Sequence, residues 1–202
     1  MMRLAARDLT CLRGGYEVFR GLSFEVRAGE ALMVTGPNGA GKTSLLRVLA
    51  GLLHAAQGEI RLEGGESELR VCEQALYLGH SDAVKPRLSV GENLLFWAGF
   101  LGPARAETHT ALAQVGLAGL ARIPAMYLSA GQRRRLALAR LVLIGRPIWL
   151  LDEPTASLDQ EGCGMLCGLM QTHLSAAGII VLASDDPLEL ESASELPLRG
   201  KR

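Results

Sequence analysis

The sequence predicts an α/β fold with a mostly parallel sheet, an antiparallel β part at the N-terminus and an inserted helical lobe. Three observations carry that prediction. Residues 3–36 alternate apolar and polar positions, the period of strands. Beyond residue 41, helical spacing alternates with short apolar runs, as in parallel sheets joined by crossover helices. From about residue 81 to 128 the strand pattern stops and helical spacing takes over. One domain over residues 1–202 is expected, with the lobe at about 81–128.

Each element has its own signal. Gly14-Gly15 and Ala28-Gly29-Glu30 punctuate the N-terminal strands, and Ala31–Val34 is the last of them. Leu45, Leu46, Leu49 and Leu52 predict a helix over 41–53, ending near Gly51 to His54. Short strands follow at Glu59–Leu62 and Ala75–Leu78. Ser89-Val90-Gly91-Glu92 is a capping box that opens a helix through Leu94, Leu95, Trp97 and Leu101. With Phe96 and Phe100 added, that helix is apolar so far round that burial in the lobe's own core is expected. The alternative is a groove for a partner's helix. Ala111, Leu112 and Val115 continue the helical spacing. A helix from Gly131 leads into the apolar strand Ile148–Leu151. A helix over about 160–175 precedes the strand Ile179–Ala183.

Composition narrows the function. Lys+Arg and Asp+Glu both number 21, which argues against a nucleic-acid surface built on bulk positive charge. Asp8 interrupts the N-terminus before an apolar signal core forms. Residues 162–184 carry no charge, but Gln171, Thr172, His173 and Ser175 sit at their middle. A buried helix and strand is therefore expected rather than a membrane span. The cysteines are Cys11, Cys72, Cys163 and Cys167; without a second ligand pair they are expected as small buried residues. The 24 glycines exceed the usual share of about 7% and point to tight turns and close approach to a ligand.

Gly36-Pro37-Asn38-Gly39-Ala40-Gly41-Lys42-Thr43, followed by Ser44, fits the P-loop pattern and lies between a strand and a helix. Its glycines let successive N–H groups turn toward one anion at a helix N-terminus. Lys42 would reach the β- and γ-phosphates of ATP, and Thr43 would ligate Mg²⁺. Ile148-Trp149-Leu150-Leu151-Asp152-Glu153 is an apolar strand that delivers two acids to the sheet edge where ligands bind. Asp152 would hold Mg²⁺, largely through water, and Glu153 would polarise the attacking water.

Leu128-Ser129-Ala130-Gly131-Gln132 starts 24 residues before Asp152 and resembles the signature sequence of ATP-binding-cassette (ABC) ATPases, with alanine for the first glycine. Ser157-Leu158-Asp159 is similar to that family's D-loop. The resemblance implies the ABC ATPase fold and a head-to-tail homodimer that sandwiches two Mg·ATP. Ser129, Gly131 and Gln132 would then face the nucleotide on the other copy's P-loop. Arg133 and Arg134 are expected on a solvated helix face, and Arg135 in a structural role. Three positions depart from the family. Where an aromatic side chain stacks on adenine, Arg13 and Tyr16 are the two candidates. Where a glutamine is expected stands His80. Where a histidine is expected stands Asp185, which puts hydrolytic competence in question.

Within that family, several strings resemble the ATP-binding subunits of the cytochrome c maturation (haem exporter) system. They include Leu9-Thr10-Cys11-Leu12-Arg13, Gly39 to Arg47, Tyr77-Leu78-Gly79-His80 and Leu128 to Arg135. The resemblance implies integral membrane permease partners, a peripheral place on the cytoplasmic side of the inner membrane, and ATP hydrolysis coupled to haem delivery. An ATPase of another exporter, and a soluble ABC protein outside transport, are the other two readings. No haem-ligand pattern such as Cys-x-x-Cys-His identifies a cargo.

Overall fold

A two-residue turn opens the structure. Gly14 and Gly15 sit at φ 57° and 81°, a left-handed pair that suits a tight hairpin, and Arg13 faces Tyr16 across it. The hairpin joins β1 (Arg3–Arg13) to β2 (Tyr16–Arg27), and β4 (Gln57–Glu63) pairs antiparallel on the other side of β1. The computed structural model describes residues 1–102, 104, 106–184, 190 and 193–199.

The second sheet has five parallel strands in the order β5-β6-β7-β3-β8. They are β3 (Ala31–Thr35), β5 (Ala75–Leu78), β6 (Ile148–Asp152), β7 (Ile179–Ala183) and β8 (Ala193–Pro197). Every residue of β6 and β7 is buried, which explains their unbroken apolar runs. Helix α1 (Lys42–Leu49) sends Leu45, Leu46 and Leu49 into the same core as Leu32, Val34, Leu150 and Val181. Together these elements form one compact unit, residues 1–79, 147–154 and 170–202.

The other unit comprises residues 80–146 and 155–169. It contains α2 (Val90–Leu101), α3 (Thr108–Gln114), α4 (Ala130–Ile144) and the first ten residues of α5 (Gln160–Ser175). The stretch 81–128 lies inside it, and α4 supplies the helix on which α2 and α3 pack. Asn93 is 1% exposed and binds the chain leading into α2. Its amide donates to the carbonyls of Lys85, Leu88 and Ser89 at 2.9–3.2 Å and accepts from Lys85 N–H at 2.7 Å.

Four expectations need correction. Helix α2 buries only a narrow stripe, Val90, Asn93 and Leu94, while Leu95, Phe96 and Phe100 are exposed. Its apolar girth exceeds what one helix face of this unit can cover. Arg134 does not lie on a solvated face; it is 1% exposed and paired with Asp82 at 3.1 Å. Its neighbour Arg133 is half-buried and donates to the Leu128 carbonyl. Of the cysteines, Cys11 is buried, whereas Cys72, Cys163 and Cys167 are partly exposed. Strand β8 carried no apolar signal and went unread. No described helix is long and apolar enough to cross a membrane.

Candidate functional site

The P-loop takes its shape from Gly36 to Gly41. Ala40 N–H closes a turn onto the Pro37 carbonyl at 3.0 Å, leaving Pro37, Asn38 and Gly39 exposed and Ala40 buried. Gly41 starts α1 at φ 103°, with no side chain capping the helix. A Cβ on Gly41 would stand 2.6 Å from Val18 Cγ1, so any other residue would strain the backbone and collide with β2. Lys42 is buried, and its ammonium donates to the Gly36 carbonyl at 2.8 Å, spanning the mouth of the loop. Ser44 is buried at the first turn of α1.

At the end of β6, Asp152 is 2% exposed and brings its carboxylate to α1. Thr43 Oγ1 donates to Asp152 Oδ1 at 3.0 Å, although 109 residues separate them. The other oxygen, Oδ2, accepts from the Tyr77 hydroxyl at 3.0 Å. Tyr77 was not among the residues singled out from the sequence. Only its place in the string Tyr77-Leu78-Gly79-His80 hinted at it. Burial pushes the Tyr77 phenol above its ordinary pKa, and the Asp152 charge adds to the shift, so the group keeps its proton and donates. Glu153 follows at φ 48°, a left-handed conformation rare outside glycine, held by its N–H on the Ala183 carbonyl at 2.8 Å. Strain of this kind concentrates at functional positions.

The two adenine candidates turn out to be a cross-strand pair. Arg13 and Tyr16 face each other at the hairpin end, and Tyr16 is 81% exposed. Tyr16 shares its strand face with Val18, two residues on, which abuts Gly41 of the P-loop.

In the second unit, Ser129 and Gln132 close a reciprocal cap on α4. Ser129 Oγ accepts from Gln132 N–H at 3.2 Å, and Gln132 Oε1 accepts from Ser129 N–H at 2.9 Å. Ser129, Gly131, Gln132, Arg135 and Ser157 line an open recess of about 310 Å³. A Cβ on Gly131 would press to 3.1 Å from the Ser157 carbonyl. Arg135 donates to Asp159 at 2.9 Å and to Glu161 at 3.2 Å. The Gly162 N–H first, and then Arg135, hold the exposed Asp159 carboxyl below its usual pKa. The loop 80–84 is also fixed: Asp82 receives Arg134, the Asp82 carbonyl accepts from Arg140 at 2.8 Å, and the Ala83 carbonyl accepts from Trp97 at 3.2 Å. His80 is exposed at the start of this unit. Asp185 lies outside the described residues.

A P-loop whose threonine meets the carboxylate at the end of another strand of the same sheet defines a nucleotide-binding α/β protein. The helix capped by Ser129, carried on a separate helical unit and followed by Ser157-Leu158-Asp159, narrows the class to the ABC ATPases. The ABC transporter family model matches residues 19–156. The chain is 58% identical to the "cytochrome c biogenesis ATP-binding export protein CcmA" of Rhodopseudomonas palustris (strain BisB18), over 98% of this chain and 99% of that one. Identity to the CcmA protein of Nitrobacter winogradskyi is 55%, with the same coverage. In three dimensions it is similar to an ABC transporter ATP-binding protein from Pyrococcus furiosus, with TM-score 0.82, 24% identity and 97% of each chain covered. The chain belongs to the ABC transporter family and, within it, to the CcmA ATP-binding export proteins.

Proposed function

We propose that this chain is the ATP-hydrolysing subunit of an exporter serving cytochrome c biogenesis, and that it works as a Mg·ATP-bridged homodimer. The observation that carries this reading is the meeting of Thr43 and Asp152 beside the P-loop. A hydroxyl and a buried carboxylate 3.0 Å apart are the hard oxygen donors that suit magnesium, so the residues fit that ion. Thr43 and Asp152 would hold it, the latter largely through water. Magnesium, when bound, supplies positive charge to the β- and γ-phosphates.

The chain's own groups do the rest. Residues Gly36 to Ser44 wrap the phosphates with backbone N–H groups, and Lys42 exchanges the Gly36 carbonyl for phosphate oxygens. Glu153 orients and polarises the water that attacks the γ-phosphorus. Tyr16 stacks on adenine with Arg13 beside it, a reading supported by their pairing and by Val18 at the P-loop. Ser129, Gly131 and Gln132 of a second copy close over the γ-phosphate. His80 and Asp185 stand at the glutamine and histidine positions of the family pattern. A carboxylate cannot donate to that phosphate as a histidine would, so Asp185→His is expected to raise turnover in a steady-state ATPase assay. The exposed Leu95, Phe96 and Phe100 support docking of an integral membrane permease, which would hold the chain on the cytoplasmic face of the inner membrane.

The test uses Glu153→Gln, which slows cleavage while leaving the γ-phosphate contacts in place. Light scattering is expected to give a monomer without ATP and a dimer with Mg·ATP; an unchanged mass at micromolar protein would contradict the sandwich. For the cellular role, and for haem as the cargo class, the readout is the level of c-type cytochromes in a deletion strain. The chain is expected to restore them and Lys42→Ala is not; restoration by Lys42→Ala would sink the coupling to ATP.

A further inference from the structure

Two hydroxyls of different kinds meet the carboxylate of Asp152. On one oxygen sits the Thr43 hydroxyl, a group that magnesium would claim. On the other sits Tyr77, whose side chain has no other task in the site described above. The phenol carries one proton, and that proton goes to Asp152 Oδ2. Tyr77 thus reaches the carboxylate from β5, while Thr43 reaches it from α1. Gly79 makes room for the phenol: a Cβ there would stand 3.1 Å from both the Tyr77 hydroxyl oxygen and its Cε1.

We infer that Tyr77 is a positioning residue for magnesium, fixing the rotation of the Asp152 carboxylate so that Oδ1 faces the ion while Oδ2 stays bound to protein. The inference rests on the magnesium site proposed above. Without the phenol, a carboxylate that is 2% exposed loses the donor that meets Oδ2. Groups that orient metal-holding carboxylates typically contribute 10–100-fold in metal affinity. Tyr77 touches no phosphate in this scheme, so nucleotide binding without metal does not depend on it.

The experiment measures binding of a non-hydrolysable ATP analogue by calorimetry, once with magnesium and once in EDTA. The ratio of the two affinities reports the metal's share. Tyr77→Phe is expected to cut that ratio about tenfold with the EDTA affinity unchanged. Tyr77→His, which keeps a donor, is expected to recover part of it. Gly79→Ala, whose Cβ would press on the Tyr77 ring and hydroxyl, is expected to lower it in the same direction. A ratio in Tyr77→Phe equal to that of the unaltered protein would overturn the role given to Tyr77. So would an equal fall with and without magnesium, since that is damage to the P-loop. If the unaltered protein itself binds the analogue equally well in EDTA, the magnesium site fails, and the two failures are distinguishable.

Discussion

The two helices that begin at nucleotide motifs start in opposite ways. Helix α1 opens on Gly41 in a left-handed conformation, with no side-chain cap and no acid in its first turn. Helix α4 opens on Ser129 in an extended conformation, with Ser129 and Gln132 bonding each other's backbone. The first N–H groups of any helix lack intrahelical partners. In α1 no side chain takes that role, and the glycines around it admit an anion to the backbone. In α4 the Gln132 N–H already has the Ser129 hydroxyl. The first helix has no side-chain cap at its N-terminus, whereas in the second the Ser129 hydroxyl already takes one of those donors. That asymmetry suits the proposed two-copy sandwich, in which nucleotide would load on one motif before the other closes on it.

The largest break in this comparison comes from Lys42. Lys42→Ala removes a charged donor from the α1 side, and hydrolysis is expected to fall about 10²–10³-fold in a phosphate-release assay. The melting temperature should hardly move, because the Lys42 ammonium donates to the Gly36 carbonyl of the loop itself. A large drop in melting temperature would mean that the P-loop depends on Lys42 for its fold.

The units also bury their bases differently. In the first, His173 stacks on Trp149 at 3.9 Å and meets the Ile179 carbonyl, and burial pushes its pKa down to about 4. A base with a depressed folded pKa contributes its full stability above the unfolded value near 6.5. That stability is lost as pH falls from there through about 4, in total about 3 kcal/mol. Each unit has one tryptophan, so a Trp97→Phe background reads Trp149 alone. Urea titrations at pH 7 and 4.5 should show the loss, and His173→Gln should reduce it. An identical pH dependence in His173→Gln would exclude His173 as the source.

The second unit instead buries charge. Arg134 meets Asp82 with side-chain exposures of 1% and 24%. Removing one partner of a fully buried pair costs about 3–5 kcal/mol, and the partial solvation of Asp82 brings the expectation for Arg134→Met to about 2 kcal/mol. Adding Asp82→Asn should recover part of that, measured by denaturation with Trp97 as reporter in Trp149→Phe. If the double variant is no better than the single one, the pair is not the source of the stability.

These effects divide along the line of what could be read in the sequence. Local patterns were legible: the P-loop, the capping box of α2, and the apolar strands that became β6 and β7 are each decided within a few residues. Contacts across long separations were not. Tyr77 and Asp152 lie 75 residues apart, and nothing in either segment announces the other. Arg134, like Arg133, reads as solvated because the mate that justifies its burial, Asp82, lies 52 residues earlier. Strand β8 is Ala-Ser-Glu-Leu-Pro at the sheet's edge, where hydrogen bonds to β3 decide the conformation and no apolar run is required. The exposed α2 aromatics misled in the other direction, because apolar content reports what a helix can bury and not whether its own chain covers it.

The smallest effect tests the comparison most directly, at Ser129. Ser129→Ala deletes the hydroxyl that accepts from Gln132 N–H, and such caps contribute about 1 kcal/mol. For a chain of this size that amounts to a fall of roughly 2–4 °C in melting temperature. Affinity of the monomer for Mg·ATP should stay the same, because the nucleotide loads on α1. Dimer formation should suffer far more than the melting temperature, since the same hydroxyl is asked to serve the other copy's γ-phosphate. Placing Ser129→Ala in the Glu153→Gln background separates the two roles in one sample. Loss of the ATP-induced dimer with intact monomer affinity is expected. If the dimer forms as before and only the melting temperature falls, Ser129 is a helix cap and nothing more, and the asymmetry between α1 and α4 loses its functional meaning.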